Sequence, residues 1–190
     1  MSSRRLLAVL AAAALAPVWG FGTQAGAVGY PQPSVVSTNP VDATPHVLNG
    51  TVRAVAAVGA RVYVGGTFTT VVNAGTSTQL PRSYLFAFDR ATGRIISTYT
   101  PAVNGAVESI APAPDGTSVI IGGRFTTVNG SAQRSLAMLD VNGARVSGFA
   151  AGTNGYVTKV LTRGSRLVVG GRFSTANGVS RSNLAVVNVP

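Results

Sequence analysis

The chain has 190 residues and a formal charge of +10, from 15 basic and 5 acidic residues, with 23 glycines, 10 prolines and no cysteine. That length suits one domain with a substantial core, and 46% hydrophobic against 11% charged residues excludes an intrinsically disordered chain. Without cysteine there is no disulfide framework, no thiolate metal site and no cysteine nucleophile, and the one histidine, His46, leaves little material for imidazole chemistry.

The first element is an address rather than a fold. Arg4-Arg5 precede an apolar run of 14 residues, Leu6 to Trp19, and then Ala25-Gly26-Ala27. A positive start, an apolar middle and a small-x-small end predict a secretory signal peptide over 1–27, cleaved after Ala27. The run is shorter than the roughly 20 residues a spanning helix needs, and Ser3-Arg4-Arg5-Leu6-Leu7 also resembles a twin-arginine leader. No later stretch approaches spanning length, so no membrane span is expected after cleavage. Loss of the leader leaves 13 basic against 5 acidic residues, a surplus of +8. These cations are scattered singly, which favours solubility and weak attraction to polyanions rather than a dedicated nucleic-acid site. Residues 28–48 follow with Pro31, Pro33, Pro40 and Pro45. They read as a proline-rich lead-in, with Ser34–Thr38 the only part able to form an edge strand that closes a sheet.

One phrase then recurs three times: Val62-Tyr63-Val64-Gly65-Gly66-Thr67-Phe68-Thr69, Val119-Ile120-Ile121-Gly122-Gly123-Arg124-Phe125-Thr126 and Leu167-Val168-Val169-Gly170-Gly171-Arg172-Phe173-Ser174. Asn-Gly pairs at 49–50, 104–105 and 154–155 set a period of 55 and then 50 residues. Both residues of Asn-Gly tolerate positive φ, so a tight turn is predicted at each pair. The repeat units are 49–103, 104–153 and an incomplete 154–190.

Four strands are predicted per unit. The first is Val52 to Val58, matched by Val107 to Ala111 and Val157 to Leu161. The second is the apolar triplet running into Gly-Gly, and its lack of alternation predicts burial on both faces. The third is Tyr84 to Asp89, matched by Leu136 to Asp140 and Leu184 to Asn188, with Arg82-Ser83, Arg134-Ser135 and Arg181-Ser182 leading in. The fourth is Ile95 to Tyr99 or Val146 to Phe149. No segment after the leader has capped helical periodicity, so the class is all-β. Four antiparallel strands in about 50 residues predict β-propeller-type blades, about three of them, in an incomplete or open propeller. Gly65, Gly66, Gly122, Gly123, Gly170 and Gly171 are then close-approach positions. Phe68, Phe125 and Phe173 pack between blades, and Arg82, Arg134 and Arg181 are clasps on loop carbonyls or, alternatively, an anion-binding ring.

The phrase Gly-Gly-x-Phe-Ser/Thr, its following Asn-Gly, and then Arg-Ser with Leu-Ala-x-x-Asp resemble the delta-60-type β-propeller repeat of secreted bacterial proteins. The outline is also similar to kelch repeats, but the downstream Tyr and Trp of kelch are missing. The resemblance covers about Asn49 to Val189. It implies a non-enzymatic interaction module with no cofactor and no shared catalytic residues.

Three blades fall short of the roughly four to eight that close a ring. A truncated gene product is the expectation; a homodimer completing a propeller of about six blades, or an open arc used as a partner surface, are the alternatives.

Little remains for chemistry. The carboxylates are Asp42, Asp89, Glu108, Asp115 and Asp140. A glycosidase needs two of them roughly 5 to 9.5 Å apart across a substrate, whereas Asp89, Asp115 and Asp140 sit at turn signals. Glu108 has no counterpart in the other units and is the lone functional candidate; the plainer reading puts it on an edge facing solvent. No catalytic residue, metal site or cofactor is assigned, and no basic groove interleaved with aromatics argues for nucleic acid. The expected function is a secreted, non-enzymatic module that binds a protein or ligand outside the cell or at its surface. Binding of an anionic envelope polymer or glycan is the alternative, and a propeller-type hydrolase a third.

Overall fold

Residues 43–190 are described by the computed structural model, and every regular element among them is a β-strand. The expected leader and the expected closing strand at Ser34–Thr38 fall outside the described residues. The first unit holds β1 (His46–Val47), β2 (Val52–Val58), β3 (Arg61–Gly66), β4 (Thr70–Val72), β5 (Gln79–Pro81) and β6 (Leu85–Asp89). The second holds β7 (Val107–Pro112), β8 (Val119–Gly123), β9 (Thr127–Val128), β10 (Ser131–Ala132) and β11 (Leu136–Leu139). The third holds β12 (Tyr156–Arg163), β13 (Arg166–Arg172), β14 (Thr175–Ala176), β15 (Val179–Ser180) and β16 (Leu184–Asn188).

Each unit carries one antiparallel three-stranded sheet with the glycine-bearing strand in the centre, in the orders β2-β3-β6, β7-β8-β11 and β12-β13-β16. The register repeats: Val55 faces Val64, Ile110 faces Ile121 and Val160 faces Val169. Gly65, Gly122 and Gly170 face Leu85, Leu136 and Leu184. The sheets stack so that the middle one is covered twice. Val119, Ile121, Ala137 and Leu139 join Tyr63, Leu85 and Tyr99 in the core shared with the first unit. On the opposite face, Ile120, Leu136 and Met138 join Val157, Val160 and Leu167 in the core shared with the third. This is why β8 is buried at every residue, as its unbroken apolar run predicts, while β13 alternates between buried and open.

Two details depart from expectation. The fourth strand shrinks to single bridges, Phe88 with Ile95 and Leu139 with Arg145. The backbone leaves the ladder there because Tyr99 N–H donates to Ile96 and Phe149 N–H to Val146, turns that tuck both aromatic rings into the core. The second departure concerns the unit-opening Asn-Gly pairs. Their asparagines are not turn formers. Asn49 Oδ1 accepts from the N–H of Thr69 and Thr70, Asn104 Oδ1 from Thr126 and Thr127, and Asn154 Oδ1 from Ser174 and Thr175. Each Nδ2 donates to the hydroxyl of the same Ser or Thr at 2.7–2.8 Å. The neighbouring glycine is needed for contact: a Cβ on Gly155 would lie 1.9 Å from the Arg172 carbonyl.

The positive-φ hairpin turns belong instead to Asn129-Gly130 (50° and 75°) and Asn177-Gly178 (50° and 76°). These join β9 to β10 and β14 to β15, short hairpins not predicted from the sequence. In the first unit a longer loop joins β4 to β5, and β1 adds a third strand.

Candidate functional site: the seams between units

The two glycines of each pair do different work. The second one lies beside a bulge in the first strand, where the register skips Arg53, Glu108 or Thr158. A Cβ at Gly66, Gly123 or Gly171 would come within 2.0–2.2 Å of the carbonyl of Thr51, Ala106 or Tyr156. The first glycine faces the next unit. A Cβ on Gly65 would meet Val107 Cγ1 at 2.6 Å, and one on Gly122 would meet Val157 Cγ1 at 2.6 Å. At Gly170 the only neighbour within reach among the described residues is the Lys159 carbonyl at 4.0 Å.

A bulge re-aims the residue it skips, and here it turns Arg53 and Glu108 toward one seam. Arg53 Nη1 donates to Glu108 Oε2 at 2.8 Å and Arg124 Nε to Glu108 Oε1 at 3.0 Å. The Glu108 side chain keeps 10% of its exposure while both arginines stay about half exposed. Glu108, the single candidate from sequence, is thus neither a free acid nor a solvated edge residue; it is the anion of a three-membered clasp. Arg124 also stacks over Tyr156 of the third unit, 4.1 Å from the ring centroid. Sequence reasoning missed Arg53, Arg124 and Tyr156, because only the bulge brings residues 55 and 16 positions away onto Glu108.

Phe125 lies in the core shared by the first and second units and Phe173 in that of the second and third. Phe68 packs in the first unit's own cluster, edge-to-face on Phe86. The arginine lead-in is out of phase in the middle unit. Arg82 and Arg181 N–H groups donate to Thr69 and Ser174, but the equivalent donor to Thr126 is Gln133, not Arg134. Arg82 ties the Pro81 and Ser97 carbonyls and Arg181 that of Ser180. Gln133 is buried, reaching the Leu136 and Ala151 carbonyls and accepting from Arg145. Arg134 is exposed. It lines a groove of about 280 Å³ between the second and third units, with Arg124, Phe125, Asn154 and Tyr156.

The described aspartates close their own turns. Asp89 accepts from Ala91 and Thr92, Asp115 from Thr117 and Ser118, and Asp140 from Asn142 and Ala144. The Thr92 amide and hydroxyl hold the Asp89 carboxyl below its ordinary range. Burial pushes Asp115 up, but the Ser118 and Thr117 donors outweigh it and its pKa is lowered. Among the described residues no three His, Cys, Asp or Glu side chains are grouped to hold a metal, and no helix is long and apolar enough to cross a membrane.

Residues 165–185, which contain the third Gly-Gly-x-Phe copy, match the model of a β-propeller family described as a domain of unknown function, DUF5122. The match supports a β-propeller repeat family. Each unit is accordingly a blade, three strands wide, with a further bridge residue in the first and second. Among solved structures, the crystal structure of the computationally designed Ika4 protein is similar at a TM-score of 0.38 and 15% identity, over 74% of this chain and 92% of that one. No match was found among curated proteins.

Proposed function

We propose that this β-propeller module is a secreted, non-enzymatic binder, and that the groove between its second and third blades receives an anionic partner at the cell envelope. The observation that carries the reading is the pairing of Arg124 with Tyr156 at 4.1 Å beside exposed Arg134. A guanidinium held over an aromatic ring, with a second cation on the same rim, suits a carboxylated or phosphorylated polymer or an acidic glycan. Arg124 spends its Nε on Glu108, which orients the guanidinium.

The non-enzymatic part is supported by the engagement of the described carboxylates. Glu108 accepts from two arginines and the three aspartates from backbone donors, so none is poised as a general acid or base.

The test is co-sedimentation of the protein with isolated cell envelopes across a salt series. Retention that falls steeply between low and physiological salt, and that is reduced several-fold by Arg134→Ala, is the expected result. Salt-independent retention would replace the polyanion with a protein partner, and no retention would sink envelope binding. Hydrolysis of a glycan or peptide substrate that disappears in Glu108→Gln would overturn the non-enzymatic reading.

A further inference from the structure

The seam between blades is a knob-and-socket joint that the molecule makes twice. The socket is the far face of a blade: the first glycine of the pair, flanked by two side chains of the third strand. In the first blade these are Gly65, Leu85 and Ala87; in the second, Gly122, Leu136 and Met138. The knob is a pair of branched side chains three residues apart on the next blade's first strand, Val107 with Ile110 and then Val157 with Val160. In both joints the parts are dry, the knobs at most 9% exposed and the flanking side chains at most 3%.

The same two parts occur once more with nothing among the described residues against them. The third blade presents Gly170 with Leu184 and Val186, exposed by 63% and 59%. The first blade presents Val52 and Val55, the counterparts of Val107 and Ile110, exposed by 41% and 61%. The rest of that first-blade face is filled by its own Phe68 and Val71, as Phe125 and Val128 fill the second blade's. An open socket and an open knob of one geometry therefore sit at opposite ends of one stack.

We propose that two copies of this chain join head to tail, each seating Val52 and Val55 in the Gly170 socket of the other. The contact is heterologous, so it makes a closed pair only if the rotation returns on itself; six blades lie within the range of rings that close. Apolar burial drives it. The ion clasp of the internal seam is not reproduced: by register, Arg53 stands where Glu108 would, Thr67 where Arg124 would and Thr158 where Arg53 would. With no ion pair at the joint, association does not loosen as salt is added.

Sedimentation velocity on the protein as produced in its own host tests this. Wild type should move as a concentration-dependent species of twice the chain mass. A Cβ on Gly170 has the Lys159 carbonyl at 4.0 Å as its nearest neighbour, so Gly170→Val is chosen to fill the socket, and Val55→Asp spoils the knob from an exposed site. Val186→Asp repeats the socket test should Gly170→Val disturb the strand. Each should be monomeric with unchanged circular dichroism. An equimolar mixture of Gly170→Val and Val55→Asp keeps one sound joint and should recover a weak dimer. A wild-type monomer at all concentrations, association that loosens with salt, open-ended oligomers, or a dimer that survives Val55→Asp would each overturn the proposal; the last would mean that third blades meet face to face.

Discussion

Glu108 and Arg53 meet at 2.8 Å across the seam of the first two blades, each aimed there by a bulge in its own strand. Arg124 closes the clasp from the other side of the carboxylate. Removing the anion leaves two guanidinium groups sharing a site with no counter-charge. Because both arginines remain about half exposed, Glu108→Gln should cost only about 1 kcal/mol in urea denaturation, shrinking at high salt. A loss that is several times larger, or indifferent to salt, would show that the carboxylate does something other than pair.

Gly122 and Gly170 are equivalent in sequence and opposite in surroundings. Gly122→Ala forces a methyl to 2.6 Å from Val157 Cγ1 and should destabilise the fold by about 1–3 kcal/mol through overpacking. Gly170→Ala meets nothing closer than 4.0 Å. Thermal denaturation at low protein concentration should leave its midpoint at the wild-type value. Equal effects at the two sites would remove the packing explanation for the repeat.

Tyr99 is fully buried, edge-on to Tyr63 at 5.3 Å, and its hydroxyl has no hydrogen-bond partner among the described residues. Burial pushes its pKa well above the ordinary tyrosine value. The second blade makes the same turn with Phe149. Tyr99→Phe should therefore be neutral or stabilising by about 1 kcal/mol, since it deletes an unsatisfied polar group. Destabilisation in chemical denaturation would reveal a partner for that hydroxyl.

Asn104 makes three hydrogen bonds to Thr126 and Thr127. Asn104→Ala should lower stability by about 1–2 kcal/mol. Asn104→Asp, which keeps the acceptor and loses the amide donor, should fall between the two. A Gly substitution that restored stability would point to a turn requirement rather than a side-chain clamp.

Backbone and hydroxyl donors hold the Asp89 and Asp115 carboxyls below the ordinary aspartate range in the folded state. A lowered carboxylate pKa contributes stability that is complete above the unfolded value and disappears as pH falls through the folded one. Urea midpoints should hold from pH 7 to about 5 and decline below about 4. Asp115→Asn should flatten part of that decline; an unchanged acid limb would place the loss at other groups.

The repeat and the strand triplets were legible in the sequence, and so was the double burial of Val119-Ile120-Ile121, because a ladder covered on both faces demands uninterrupted Val and Ile; Leu167-Val168-Val169 reads alike, yet its burial alternates. The third-strand clasp was legible in the first and third blades and misread in the second. Arg134-Ser135 copies the local wording of Arg82-Ser83, yet Gln133 occupies the structural place. The unit-opening asparagines were misread for a related reason. Asn-Gly is equally suited to a hairpin and to a side-chain clamp, and only the position of the Thr it grips, about 20 residues on, separates the two.

What the sequence determined by itself is the class, the period and which residues recur. Recurrence is local: each copy of Gly-Gly-x-Phe must satisfy the same ladder, bulge and clamp wherever it stands. Which glycine is a filled socket and which an empty one depends on whether another sheet lies within van der Waals reach, and no residue of the phrase records that. Gly122 and Gly170 carry the same letter in the same words. Only the stacking of blades makes one a packing necessity and leaves the other open.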